Sequence, residues 1–312
     1  MRHSIPLSIA TGLRTFVMNL LSVVLLPDSS ELVVTYIYAS VPDILFMSGL
    51  ARRAAQSRLW AACKQAGIAS HLSTLYWQSK LAANLWTASV SIGGYTATFA
   101  ADTPTEYQRV TSLIGERSVI ESLLTDTRPS DIVYDVGANI GTHACFVSQQ
   151  LRDGTVIAFE PMPRNTSRLR HNLSVNASAS RWQVTETALS DTNKSGQLAV
   201  EGDDYGTGKH SLATDGDLNI DVRRAESLID DGVYPPPDIL KVDVEGAELC
   251  VLRGLSDYLK NVRVVYAELH HDLSASYGTS TEEIEQYLRD HGFSIQHLNE
   301  RSDAYHIRAA RD

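Results

Sequence analysis

Apolar residues recur along this chain at two different spacings, and the switch between them sets out the elements. Up to about residue 90 the recurrence is every three and four positions, in helical segments at 16–26, 44–63 and 71–86, where Leu72, Leu75, Tyr76, Leu81 and Leu85 fall on apolar faces. Asp28 with Glu31 three residues on is a capping-box start, and the helix it opens ends before Pro42. Tyr76, Trp77 and Trp86, at helical spacing, read as core. Residues 1–90 are thus a helical N-terminal extension with no chemical motif. Gly93-Gly94 breaks the pattern, residues 95–99 alternate as a strand, and 105–124 return to helical spacing as one helix. From there the chain alternates: strand 131–136, helix 142–151, strand 155–160, helix 164–173, strands 181–189 and 238–244, helix 246–259, strand 262–269. Such alternation predicts an α/β domain over 91–312, a mostly parallel sheet with helices on both faces. Residues 190–237 differ: they are rich in Gly, Asp, Ser and Thr, carry short strand candidates at 197–200 and 219–222, and end in Pro235-Pro236-Pro237. We read them as a lid-like insertion over the crevice. Ser280 with Glu283 caps a helix stopped by Gly292, and 293–298 and 304–307 close the chain as a hairpin.

Charge narrows the partners. The 37 acidic against 27 basic residues give a formal net charge of −10, which speaks against a nucleic-acid backbone as partner. Cys63, Cys145 and Cys250 stand far apart without metal-ligand spacing, as in a reduced, cytoplasmic setting. Residues 16–26 are too short for a spanning helix, which needs about 20 apolar residues. Two readings of that segment stay open: a helix buried or facing a partner, such as a second copy of the chain, and an amphipathic anchor on a membrane surface.

The chemistry gathers at Asp131-Ile132-Val133-Tyr134-Asp135-Val136-Gly137-Ala138-Asn139-Ile140-Gly141. A buried strand runs into a glycine loop and then a helix, the entrance of a nucleotide site. Gly137 and Gly141 let the backbone turn sharply and approach a ligand, while Asn139 stands where a dinucleotide fingerprint has its second glycine. Asp135, at the strand end, suits a cation. Glu160, at the end of the next strand, is placed to accept both hydroxyls of a ribose. S-adenosylmethionine brings a sulfonium and an ammonium, whereas a nicotinamide dinucleotide brings a pyrophosphate that Asp135 would repel, so a methyl donor fits better.

A second dense motif, Asp238-Ile239-Leu240-Lys241-Val242-Asp243-Val244-Glu245-Gly246-Ala247-Glu248, is a buried strand that releases Asp243 and Glu245 at the end where open α/β sheets bind ligands. Lys241, buried in so apolar a strand, needs a carboxylate partner, Glu268 or Asp135. DVGANIG, FEPMPRNTSRLRHNL, TALSD, DILKVDVEGAELCVLRGL and AELHH, in this order and from Tyr95 onwards, resemble the FkbM-type family of S-adenosylmethionine-dependent methyltransferases. The resemblance implies a class I methyltransferase fold: a Rossmann-like, seven-stranded, mostly parallel sheet whose last strand inserts antiparallel. It also implies O-methylation of a hydroxyl on a sugar, glycan or secondary metabolite. Carried across, Asp135, Gly137, Asn139 and Gly141 would hold the methionine end of S-adenosylmethionine, and Glu160 the ribose. Glu186 and Ala188 would approach the adenine, and Asp243 and Glu245 would face the sulfonium and the acceptor. Residues 225–228 depart from the family's usual Thr-Leu-Asp.

A hydroxyl nucleophile must still lose its proton, and Glu245, His270, His271 and His210 are the candidate bases. The reference pKa of imidazole favours His270, with Glu245 orienting it. Asp243, Glu245, Glu268 and His270 could instead hold a divalent cation. Carboxylates at adjacent strand ends more often bind cofactor and tie loops, so our reading assigns no metal. Two other functional readings remain, a non-catalytic binder of the same nucleoside and a nicotinamide-dependent oxidoreductase.

Overall fold

The computed structural model describes residues 86–113, 115–200, 210–213, 218–300 and 303–311, all within the unit Trp77–Asp312. The helices expected at 16–26, from Asp28 to before Pro42 and at 44–63, and all of the one expected at 71–86 except Trp86, lie outside the described residues. Among the described residues no helix is long and apolar enough to cross a membrane.

The first element is a hairpin. Strand β1 (Thr87–Ile92) pairs antiparallel with β2 (Tyr95–Ala100), so the described chain is already extended at Thr87, inside the stretch expected to be helical. Gly93 and Gly94 both take positive φ, the backbone of a two-residue hairpin turn whose twist matches the strands. The single helix expected over 105–124 is two, α1 (Pro104–Ser112) and α2 (Arg117–Asp126). The break falls where Leu113 and Gly115 turn to positive φ and Leu113 O accepts the amides of Glu116 and Arg117.

The domain is then built on β3 (Ile132–Val136), α3 (Thr142–Gln150), β4 (Thr155–Phe159), α4 (Pro163–Asn176), β5 (Trp182–Thr185), β6 (Thr187–Leu189), β7 (Lys194–Val200), β8 (His210–Ala213), β9 (Leu218–Arg223), α5 (Ala225–Asp230), β10 (Ile239–Val242), α6 (Glu248–Leu255), β11 (Val264–His270), α7 (His271–Ser276), α8 (Thr281–Asp290), β12 (Ser294–Glu300) and β13 (Ala304–Ala310). The main sheet has the order β12-β13-β11-β10-β3-β4-β5. Its five strands from β11 to β5 are parallel, and β13 inserts antiparallel against β11. This is the class I methyltransferase sheet that the closing hairpin implied.

Strand periodicity divides the core between two faces. Val133, Val156, Ala158, Ile239, Val264 and Tyr266 pack with α2, α3 and the β1–β2 hairpin. Tyr134, Val136, Ile157, Phe159, Leu240, Val242 and Val265 pack with α6 and α8. Asp135 and Lys241 point to the first face, in register on adjacent strands. On the same face Asp126, at the end of α2, accepts from Arg308 Nε at 2.6 Å and from the Tyr266 hydroxyl, fixing that helix to β11 and β13.

The strand expected over 181–189 belongs to two sheets. β5 stays beside β4, whereas β6 leaves to pair with β9. β4 ends opposite Thr185, so the chain beyond has no neighbour there and finds one in the insertion. The described part of the insertion carries strands: β9, β7 and β8 join β6 in a four-stranded sheet with its own apolar cluster. That cluster contains Met162, which follows the end of β4, so the second sheet packs beside the ligand end of the main one.

Candidate active site

β3 delivers the glycine loop. Gly137 (φ +74°), Asn139 (φ +52°) and Gly141 (φ +91°) all adopt the left-handed region, and asparagine is the side chain that tolerates it best after glycine. Both glycines are required by the protein's own packing. A Cβ on Gly137 would lie 1.8 Å from Asp243 O, and one on Gly141 would lie 2.6 Å from Leu169 Cδ1 on α4. Their missing side chains let β3, β10 and α4 close together, whatever ligand the loop approaches.

Asp135 is buried beneath this loop and faces Lys241, whose Nζ is 3.1 Å from Oδ1. Lys241 also donates to Gly137 O at 3.0 Å and stands 3.6 Å from Asp243 Oδ2. Burial alone would discharge the ammonium, but Asp135 and Asp243 outweigh it and hold its pKa above the ordinary lysine range. Of the two partners expected for Lys241, the structure selects Asp135. Glu268 turns instead to His306, 3.5 Å away across the β11–β13 register. His143, near the start of α3, is buried here too. Burial first, then Lys241 and His306, push its pKa well down and keep it neutral.

β4 delivers Glu160, 6% exposed. Its Oε2 accepts from Asn139 N at 2.9 Å and its Oε1 from Met162 N at 3.0 Å, so this carboxylate joins the glycine loop to the start of α4. Burial raises its pKa, and the two backbone amides offset part of that rise. Two oxygens carry about four lone-pair sites, which leaves acceptor capacity for ribose hydroxyls. Glu186 lies between β5 and β6 and pairs at the surface with Arg170, Nη1 to Oε1 2.7 Å. Ala188, in β6, packs against the second sheet's apolar cluster.

β10 and β11 deliver the other half. Glu245 (φ +55°) and Gly246 (φ +103°) form a tight left-handed turn between β10 and α6, and a side chain held there is a strained position of the kind found at functional sites. Asp243 and Glu245 are partly exposed, while His270, at the end of β11, is buried. His270 Nε2 is 3.6 Å from Glu245 Oε2, and its Nδ1 is 3.7 Å from Oε1 of the fully buried Glu248. Burial would lower the His270 pKa, but Glu248, Glu245, Glu268 and Asp243 raise it to about 9. The imidazole with a near-neutral pKa, assumed for a general base, is therefore not what the fold provides: four carboxylates hold the ring charged. His271 stacks on Tyr305 with its Nδ1 3.4 Å from Thr281 Oγ1. The side chain of His210 lies outside those described. Glu248, which sequence reasoning passed over, was legible as the acid that opens α6 and returns to accept from Gly246 N at 2.9 Å.

Asp135, Asp243, Glu160 and Glu245 thus lie together at the ligand end of the sheet, with Lys241 paired to Asp135 and Asp243 and His270 facing Glu245. Both Asp135 oxygens are buried, and Oδ1 meets Lys241 as an ion pair at 3.1 Å. A donor set this acidic, with acceptors to spare, fits a ligand that carries ammonium and sulfonium groups and opposes a pyrophosphate.

The sequence model of the methyltransferase FkbM domain matches residues 135–295. The chain is 35% identical over 180 residues to the hexuronic acid methyltransferase AglP of Haloferax volcanii, covering 57% of this chain and 72% of that protein. It is 30% identical to the 31-O-demethyl-FK506 methyltransferase FkbM of Streptomyces tacrolimicus, covering 54% and 75%. It is 28% identical to the 2-O-methyltransferase NoeI of Sinorhizobium fredii, covering 52% and 71%. With the match spanning half the chain, and the glycine loop, Glu160 and the Asp243–His270 cluster all inside it, this protein belongs to the FkbM methyltransferase family.

Proposed function

We propose that this methyltransferase uses S-adenosylmethionine to methylate a hydroxyl of a sugar, glycan or similar small metabolite. The observation that carries the reading is the group of acids at the strand ends, Asp135, Asp243, Glu160 and Glu245, set around a left-handed glycine loop. When bound, the donor supplies an electrophilic methyl on sulfonium, so much of the rate comes from alignment and exclusion of water. Glu160 would accept from the ribose, and the loop 137–141 would hold the methionine end over Asp135. Asp243, Glu245 and the charged His270 would meet the acceptor hydroxyl, and Glu245 would receive its proton as the oxygen bonds to the methyl carbon. The second sheet, packed against Met162 beyond β4, would wall the donor and carry the lid formed by the insertion.

Calorimetry with S-adenosylhomocysteine and with NADH tests the donor: binding of the first and not the second is expected, and the reverse overturns the reading. Transfer is tested by incubating labelled S-adenosylmethionine with hexuronic acid glycosides, the acceptors suggested by AglP, and then with wider glycan and metabolite pools. Label must enter a base-stable ether. Binding of S-adenosylhomocysteine without transfer to any acceptor pool would leave a nucleoside-binding protein rather than an enzyme.

A further inference from the structure

We propose that Asp243, Glu245 and His270 hold a divalent cation of the magnesium or manganese class at the acceptor end of the crevice. One oxygen of each carboxylate and one ring nitrogen lie within 4.8 Å of one another. Ligands about 2.1 Å from one cation are separated by about 3 Å when adjacent and about 4 Å when opposite, so small side-chain rotations close the set. The three come from separate backbone positions, the β10 exit, the left-handed turn and the β11 exit, which converge without a loop between them. Two carboxylate oxygens and one imidazole nitrogen leave three octahedral positions for water and an acceptor oxygen.

A second observation lies behind the histidine. His270 is about nine-tenths buried, and its Nδ1 has no hydrogen-bond partner. That nitrogen faces Oε1 of Glu248, 3.7 Å away, on a side chain with no exposed surface. A carboxylate behind a ligating histidine fixes the ring, so that once the cation displaces the Nε2 proton to solvent that nitrogen presents its lone pair to the metal. Glu248 is held for this by Gly246 N, and its Oε2 is buried without a partner.

The catalytic consequence rests on the methyl-transfer reading above, whereas cation binding does not. A hydroxyl on the cation is acidified; its proton passes to the unligated oxygen of Glu245, its oxygen bonds to the methyl carbon, and the carbon–sulfur pair leaves on sulfur as the thioether. The cation is unchanged.

The test uses the full chain stripped with EDTA and titrated with MnCl2, free Mn(II) being followed by its electron paramagnetic resonance signal. One site per chain is expected. Asp243→Asn and Glu245→Gln should each weaken it at least about tenfold, Mg(II) should compete, and Asp257→Asn, an exposed acid elsewhere, should leave it unchanged. Should His270→Ala not fold, Glu245→Gln, with the same shape as the parent, carries the test. No binding up to millimolar Mn(II), or binding indifferent to both variants, overturns the inference. S-adenosylhomocysteine titrated in EDTA separates the two claims: nucleoside binding without Mn(II) binding removes the cation and keeps the donor, and Mn(II) binding alone does the opposite.

Discussion

At Gly137 a methyl group would stand 1.8 Å from the Asp243 carbonyl oxygen, on a backbone at φ +74°. Nothing there is the free end of a side chain, because Asp243 N itself donates to Val136 O at 3.0 Å. Gly137→Ala is expected to cost about 3 kcal/mol or more, from left-handed strain and displaced backbone together. Gly94→Ala has the strain without the collision, since nothing lies within 4 Å of its Cβ, and should cost about 1 kcal/mol. Thermal melting of the two variants compares them, and equal shifts would show that the contact with Asp243 is unimportant. Glu160 ties the glycine loop to α4 and, in the function proposed above, also accepts from the ribose, two contributions that a simple affinity measurement confounds. Replaced by Gln, it would aim an NH2 at Asn139 N–H or Met162 N–H and lose one loop tie, at about 1–3 kcal/mol. Affinity for S-adenosylhomocysteine should fall about tenfold. The ribose duty is isolated by the 2′,3′-dideoxy analogue, which should bind wild type more weakly than the parent nucleoside but bind Glu160→Gln with little further loss. Full discrimination retained in the variant would place Glu160 away from the ribose.

At the scale of elements, what holds α4 to the hairpin is side-chain amide work that no periodicity reveals. Asn176 Oδ1 accepts from Thr98 N at 2.8 Å and its Nδ2 donates to Thr98 O at 2.7 Å, so one side chain stands in for a neighbouring strand on the edge of β2. Asn172 accepts from Ala100 N and donates to Ile140 O, linking the hairpin to the glycine loop. Asn176→Ala should therefore destabilise by about 1–3 kcal/mol and speed hydrogen exchange at Thr98 N–H before other sheet amides. Unchanged exchange at Thr98 would mean the edge is protected otherwise. These ties explain what the sequence could disclose. The parallel core was legible because Val133, Val136, Val156 and Phe159 sit in short, mostly apolar runs, and the glycine loop because Gly137 and Gly141 punctuate the end of one. The break at Leu113 was not, since a leucine at φ +41° runs against its own backbone preference. The exit of β6 from the main sheet depends on a partner, β9, some thirty residues downstream, and local propensity carries no trace of it. At the site, Asp243, Glu245 and His270 were legible as strand-end residues, but the protonation of His270 was not. It follows from Glu248 and Glu268 closing around the ring, a three-dimensional fact.

Taken as a whole, the molecule is an anion with a net charge of −10, and its ligand end concentrates the same sign. Lys241 is committed to Asp135, Asp243 and Gly137 O and gives little neutralisation at the surface of the crevice. A donor carrying sulfonium, ammonium and carboxylate has one net positive charge, and its demethylated product has none. The two differ by one methyl and one charge, so the surrounding field acts on their difference. Attraction between a cationic ligand and an acidic cleft is screened over about 10 Å at 0.1 M salt and about 30 Å at 0.01 M. Raising NaCl from about 0.01 M to about 0.3 M should therefore weaken S-adenosylmethionine several-fold while changing S-adenosylhomocysteine much less. Calorimetry at the two salt concentrations, in EDTA so that the acidic cluster is not titrated by metal, makes the comparison. The direction also has a functional reading: an acidic site that favours the charged donor over its neutral product helps product leave after each turnover. Equal salt dependence for the two ligands would mean that their affinity is set by the glycine loop and Glu160 alone, and that the other acids act on the acceptor side.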